Sequence, residues 1–307
     1  MAKVLLTHEE QILKSLEIAY ATALSDVKKT VKDLRNSISL LEKGGADVSL
    51  INSKIYQLEY QELMATQINS SLDLLRQKNI TSTAQFLNKM YNDSYLGDIF
   101  NLQQAYKMGV YSIPSPRAII TAITKDTAGL KFSERLYDDV EKLKTNVISE
   151  ISRGIAQGNS YAEIAARVSE VTEISFNNAY RIARTEGGRV STEAQIESMR
   201  DSTKQGADLL KRWDATLDDK VREVHIALDG ETVEIEEYFQ STAGQVFAPH
   251  MFGDPAQDIN CRCNLASVPR WDSDTNYWDK RNNLTGEILP YKDYEEWKVE
   301  YIKMGKS

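Results

Sequence analysis

The sequence predicts a mainly α protein with a small C-terminal α+β domain: a long N-terminal helical hairpin, a helical region after it, and then a short turn-rich module. Three observations carry that reading. Apolar residues recur at spacings of three and four through the first two thirds of the chain. From about Leu209 the periodicity shortens and turn signals crowd in. The composition, 41% hydrophobic and 27% charged over 307 residues, belongs to a chain that folds around a sizeable core.

The first element opens at Thr7 and Glu10, spaced as a capping box. Ile12, Leu16, Tyr20, Leu24, Val27, Val31, Leu34, Ile38 and Leu41 then form one stripe along a long helix. Gly44 and Gly45 permit a left-handed end to it, and Asp47 can cap the next helix. That second helix returns through Ile51, Ile55, Leu58, Leu63, Ile68 and Leu72, and irregular helical pieces continue to residue 113. A stripe this long with near-heptad spacing is either the hairpin's own core or a face for a partner's helices, and it motivates docking of a partner through Val31 and Leu34.

Pro114 and Pro116 in "SIPSPR" mark the boundary to a helical middle region, residues 114–208. There a helix over 133–157 carries Leu136, Val140, Leu143, Val147 and Ile151, and Gly158 closes it. Ser160 and Glu163 make a second capping box for "YAEIAARVSEV", and a last helix holds "SFNNAYRIARTEGGRVSTEAQIESMRDS". Residues 209–270 form the α+β module. Asp229-Gly230, between Ile226-Ala227-Leu228 and Glu231-Thr232-Val233, suits a tight turn, with a hairpin as one option, and Asp218 can cap a short helix through Val221, Val224 and His225. Residues 271–307 are an aromatic-rich tail in which Tyr294, Trp297 and Tyr301 would share one face of a terminal helix.

Charge and hydropathy narrow the function. A net charge of -8 argues against coating nucleic acid by charge alone. Residues 1–126 carry 14 basic and 13 acidic side chains, so Lys28, Lys29, Lys32 and Arg35 are the place for a weak, salt-sensitive DNA contact. No apolar run reaches the ~18 residues of a membrane span, and "MAKVLLTHEEQ" is too short in apolar residues for a secretory signal, so no membrane partner and synthesis in the cytoplasm with reduced thiols are expected. There is no G-x-S-x-G elbow, and "RTEGGR" lacks both the lysine and the preceding strand of a phosphate loop. No catalytic role is therefore expected, although Asp214, Asp218 or Glu223 beside a metal could activate water and keep a metal-dependent hydrolase or nuclease open as an alternative. A cytoplasmic helical adaptor is the third reading.

Cys261 and Cys263 are the two cysteines of the chain, separated only by Arg262. A disulfide across two residues is strained. Two readings remain: small apolar side chains in a core, or two thiolates on one face of an extended segment aimed at one structural zinc. Zinc takes four ligands, and His225 and His250 lie in the same module while His8 is far away in the first helix. Asp218, Asp254 or Asp258 could each replace one of them.

One ordered series has a further meaning. "AYRIARTEGGRVSTEA" from Ala179, "RWDATLDDKVREVHIALDG" from Arg212, then Phe247, Pro249 and "NCRC" from Asn260 resemble the phage Mu F-like head morphogenesis family, the minor head proteins of tailed phages. The resemblance covers roughly Ser133 to Pro269. It implies that Arg184, Thr185, Glu186, Trp213, Asp218, His225, Gly230, Cys261 and Cys263 are signature positions. It also implies a minor capsid role: association with the portal protein, contact with scaffolding and capsid proteins, entry into the procapsid in the host cytoplasm, residence inside the virion head near the portal, and a part in DNA ejection. Relatives often carry a histidine shortly before the cysteine pair, where this chain has Gln257-Asp258-Ile259-Asn260, and that departure leaves the fourth zinc ligand open.

Overall fold

A computed structural model describes residues 2–44, 58–126, 130–215 and 221–272. It is mainly α with small antiparallel sheets toward the C-terminus, as the periodicity predicts. The helices are α1 (Ala2–Lys43), α2 (Leu58–Gln104), α3 (Pro116–Thr124), α4 (Phe132–Ala156) and α5 (Tyr161–Lys204). The remainder is β1 (Leu209–Asp214), α6 (Glu223–Leu228), β2 (Thr232–Glu234), β3 (Phe239–Ser241), β4 (Gly244–Val246), α7 (Pro255–Asp258), β5 (Asn264–Pro269) and a 3-10 turn at Arg270–Asp272.

The chain divides into two compact units. One comprises Glu10–Gln85 and Leu130–Ala183 and is an up-down-up-down four-helix bundle. Its neighbour relations rest on named contacts. The Tyr20 hydroxyl of α1 accepts from Asn79 of α2 and bonds Ser175 of α5. Lys144 and Glu141 of α4 pair with Asp73 and Arg76 of α2, and Asp139 of α4 accepts from Ser175 and Asn178 of α5. Every adjacent pair is antiparallel, so the ring closes. Ile12, Leu16, Val27, Val31 and Leu34 of the first stripe are buried inside this bundle. Docking a partner through Val31 and Leu34 is thereby corrected: both side chains are spent on the bundle's own core. Burial also pushes the Tyr20 hydroxyl and the Asp139 carboxyl above their ordinary pKa values.

The helix ends obey local chemistry. Ser115 caps α3 ahead of Pro116, accepting from the Ala118 N–H at 3.1 Å. Glu134 accepts from the Lys131 N–H at the start of α4. Gly158 ends that helix with φ of 70°, and Ser160 with Glu163 opens α5 through reciprocal bonds, both as expected. Thr7 is a correction: α1 already runs from Ala2, so Thr7 lies within the helix and not at its start. Two further corrections concern length. The irregular pieces after Leu72 are one continuous α2, and "YAEIAARVSEV" and "SFNNAYRIAR" belong to one continuous α5. Both helices are buried nearly all round in places, from Met90 to Ile99 and from Arg189 to Met199, which erases the one-sided stripe that periodicity detects. The expected return-helix positions Ile51 and Ile55, the terminal helix and its aromatics lie outside the described residues.

The second unit comprises Met1–Glu9, Phe86–Gly129 and Arg184–Ser307. Here β1 is the centre of a three-stranded antiparallel sheet of order β2-β1-β5, with Trp213 opposite Leu265 and Lys211 opposite Val233. Gln195 of α5 binds both the C=O and the N–H of Leu265, which satisfies backbone groups on an edge strand. Asp98 of α2 ties the same layers together, accepting from Ser198 of α5 at 2.8 Å and Ser267 of β5 at 2.5 Å. Asp229-Gly230 makes the expected tight turn, and only the hairpin option is corrected. Ile226-Ala227-Leu228 is helical, and the pair makes the turn that leaves α6. Gly230 takes φ of 83° there and donates its N–H to the Trp213 C=O at 2.9 Å.

Candidate metal centre

The segment that leads into β5 carries Cys261 and Cys263, and the short helix α6 brings His225 over them. Ligand atoms of these three residues lie within 4.8 Å of one another. His225 Nδ1 is 3.3 Å from Cys263 Sγ and 3.6 Å from Cys261 Sγ. Zinc with bonds of about 2.3 Å to sulfur and about 2.0 Å to nitrogen sets tetrahedral edges of roughly 3.6 Å, so the spacing and the donor set fit the ion. All three residues are buried, His225 at 1%, Cys261 at 5% and Cys263 at 1% exposure. The Cys261 thiol is held well below the usual thiol range by its bond with Cys263, helped by the nearby His250 and His225 and opposed by burial. A thiolate is the form that zinc binds.

Aromatic rings hold the imidazole in place. Phe252 stacks on His225 with centroids 5.2 Å apart at 9°, and Trp213 meets it edge-on at 5.8 Å. The far nitrogen, Nε2, is buried without a hydrogen-bond partner, so ring packing fixes the orientation that a carboxylate or carbonyl acceptor usually fixes for a metal-binding histidine. Trp213 also touches Phe239 and Phe252, and it is fully buried.

The other expected ligands are not members of this group. His250 is buried against Gly188 in a left-handed backbone conformation, φ 63°, and is outside the group of three. Asp258 uses both carboxylate oxygens on the N–H groups of Phe252 and Gly253, and burial still raises its pKa. Asp254 caps α7 by accepting from Ala256. Asp214 and Glu223 are exposed and do not join the group, and Asp218 lies outside the described residues.

Of the expected signature positions on α5, Thr185 reaches the segment that carries this centre. Arg184 pairs with Glu9 at 3.8 Å, and Thr185 Oγ1 accepts from the Asn260 N–H, one residue before Cys261. Glu186 forms a buried ion pair with Arg189 at 2.8 Å, and Arg189 also donates to the Ala122 C=O at the end of α3. Arg189 and the two glycines are contributions the sequence reasoning missed. A Cβ on Gly187 would meet the Phe86 ring at 2.7 Å, and one on Gly188 would overlap the His250 ring. The signal was present: two adjacent glycines inside a helix cost about 1 kcal/mol each and call for a close approach.

The chain is similar to known proteins over this region. Residues 145–266 match the family described as Phage Mu protein F like protein. The chain is 26% identical over 299 residues to the minor head protein GP7 of Bacillus phage SPP1, covering 94% of the chain and 92% of that protein. It is 30% identical over 290 residues to the NAD(+)--arginine ADP-ribosyltransferase EFV of Enterococcus faecalis, covering 94% of the chain but 57% of that protein's length. No solved structure matches significantly.

Proposed function

Since the chain belongs to the phage Mu F-like family, we propose that it is a minor head protein of a tailed phage, one that acts in head morphogenesis by associating with the portal inside the procapsid. The observation that carries this reading is the near end-to-end correspondence with a minor head protein, 94% of one chain against 92% of the other. The transferase relative does not compete with it. The chain spans little more than half of that protein, and the same region makes up most of a protein named for the head. A region common to both does not require the transferase activity.

In this reading the protein enters the head in the host cytoplasm, contacts scaffolding and capsid proteins, stays in the virion head interior near the portal, and takes part in DNA ejection. Contact with DNA is weak and electrostatic, through Lys28, Lys29, Lys32 and Arg35 on α1, where Asp26 and Asp33 dilute the positive charge. The helical surface contributes geometry, and the cysteine–histidine centre contributes rigidity: it holds one structural zinc that fixes α6 to the entry of β5. The test is quantitative incorporation. Heads assembled with the portal should contain the protein, and shells assembled without it should lack it. Equal amounts in portal-free shells would assign docking to the capsid lattice or scaffold, and absence from both would overturn the head assignment.

A further inference from the structure

In the sheet-bearing unit, α3 and α5 flank a cleft of about 640 Å³, and every residue that lines it belongs to that unit. Its floor is apolar and held in place. Ile196, Phe247 and Met251 line it, and the Lys211 ammonium sits 3.5 Å from the Phe247 ring centroid while donating to the Phe247 C=O at 2.8 Å. The Arg189 bond to the Ala122 C=O and the Lys125–Glu193 pair fasten the C-terminal end of α3 to α5, so the cleft is preformed. Two polar groups in it have no partner among the described residues. Tyr91 lines the cleft at 2% exposure without a hydrogen bond, and burial, with Glu197 and Glu193 nearby, pushes its pKa above the ordinary phenol value, so the hydroxyl stays a donor. Arg117, exposed near the start of α3, makes no ion pair.

We propose that the chain's own C-terminal segment docks in this cleft, with Trp297 on the apolar floor. Residues 273–307 lie outside the described residues, and their sequence spaces Tyr294, Trp297 and Tyr301 for one helix face, with Asp293, Glu295 and Glu296 beside them. That pattern suits the cleft: aromatic rings for the floor, and carboxylates that can accept from Arg117 and from the Tyr91 hydroxyl. The segment also starts on the right side. Arg270 is bonded to Glu234 of β2, and Glu236, two residues on, holds Arg200 at the rim of the cleft. About 25 residues separate Asp272 from Trp297, roughly 80 Å of extended chain, so reach is not limiting. Tethering places the segment at an effective concentration on the order of millimolar, and a contact too weak to join separate molecules forms within one.

The experiment uses the full chain with a photoreactive benzoylphenylalanine in place of Trp297. Irradiation of the monomer should cross-link residue 297 to Met251 or another lining residue, as peptide mass spectrometry would show. Arg117→Glu should reduce that yield several-fold, and Thr121→Trp, which fills the cleft from an exposed position, should abolish it. A second measurement needs no cross-linker: Trp297→Ala should speed amide exchange along α3 several-fold and leave β1 unchanged. Cross-links that fall outside the cleft overturn the docking. Cross-linked dimers joined through the same lining residues overturn docking within one chain and make a second copy the occupant. Absence of any cross-link together with unchanged exchange along α3 overturns both.

Discussion

Asp98 shows how one side chain couples the fold to pH. It is fully buried, both oxygens accept from serine hydroxyls, and burial outweighs those bonds to push its pKa up to about 6. An unfolded Asp loses its proton near 3.8, so between those values the unfolded chain is the more ionised form and stability falls as pH rises. The penalty is complete above the folded pKa and amounts to about 3 kcal/mol. Asp98→Asn should therefore unfold with a flatter pH dependence between those two values and should gain stability near neutral pH, as urea titrations at several pH values would show. An unchanged slope would mean that the carboxyl is not the source. Glu186 is a different case, a buried carboxylate that shares Arg189 with Glu193. Arg189 is almost wholly buried but keeps Glu193 at 3.3 Å and the Ala122 C=O, so Glu186→Gln should cost less than the ~3–5 kcal/mol of an unpaired buried charge in the same titration. Sequence reasoning reached Cys261, Cys263 and His225 because their chemistry is unusual enough to stand out. It could not place His250, whose position depends on a left-handed φ and on a glycine that belongs to another element.

At the scale of elements, the legible parts are those with one wet side and one dry side. The stripes of α1 and α4 read directly as 3.6-residue periods because each helix buries a single face in the bundle. The second half of α2 reads as irregular because it is buried on several sides and carries polar side chains that bond to α5, as Ser94 does with Ser191. A pattern that measures one-sidedness has nothing to measure there. The three-residue strands were illegible for a different reason: pairing supplied by β1 and β4 defines them, and alternation over three positions does not. Substitutions at buried helix positions probe both kinds of packing. Val31→Asp, which introduces a charge at a fully buried position of the bundle, should cost 3 kcal/mol or more on the usual scale for unpaired buried charge (about 3–5) and should lower helical circular dichroism on mild heating. Gly188→Ala improves helix propensity by about 1 kcal/mol yet should still destabilise the protein, because the new methyl overlaps the His250 ring. A net gain in melting temperature for Gly188→Ala would show that His250 can swing away at little cost.

At the scale of the molecule, the two units differ in what holds them together. The bundle closes on itself through four apolar stripes and one polar layer around Tyr20, Asn79, Asp139 and Ser175. In the sheet-bearing unit β2, β3 and β4 are three residues long each, and beside the aromatic group of Trp213, Phe239 and Phe252 it has cross-links: Gln195 to Leu265, Asp98 to Ser267, and the centre at Cys261, Cys263 and His225. Small sheets of this size are marginal without such staples. On the proposed zinc reading, removing the ion should therefore act on one unit only. In Cys261→Ser, or after chelation of the parent protein, amide exchange should accelerate across β1, α6 and β5, while the amides around Tyr20 and Ser175 keep their protection. Incorporation into heads should fall as the sheet unit loosens, with bundle helicity unchanged. Uniform acceleration through both units would mean that the centre stabilises the whole chain as one cooperative body. No acceleration in either would mean that the two thiols and the imidazole are held by packing around Phe252 and Trp213, with no contribution from metal.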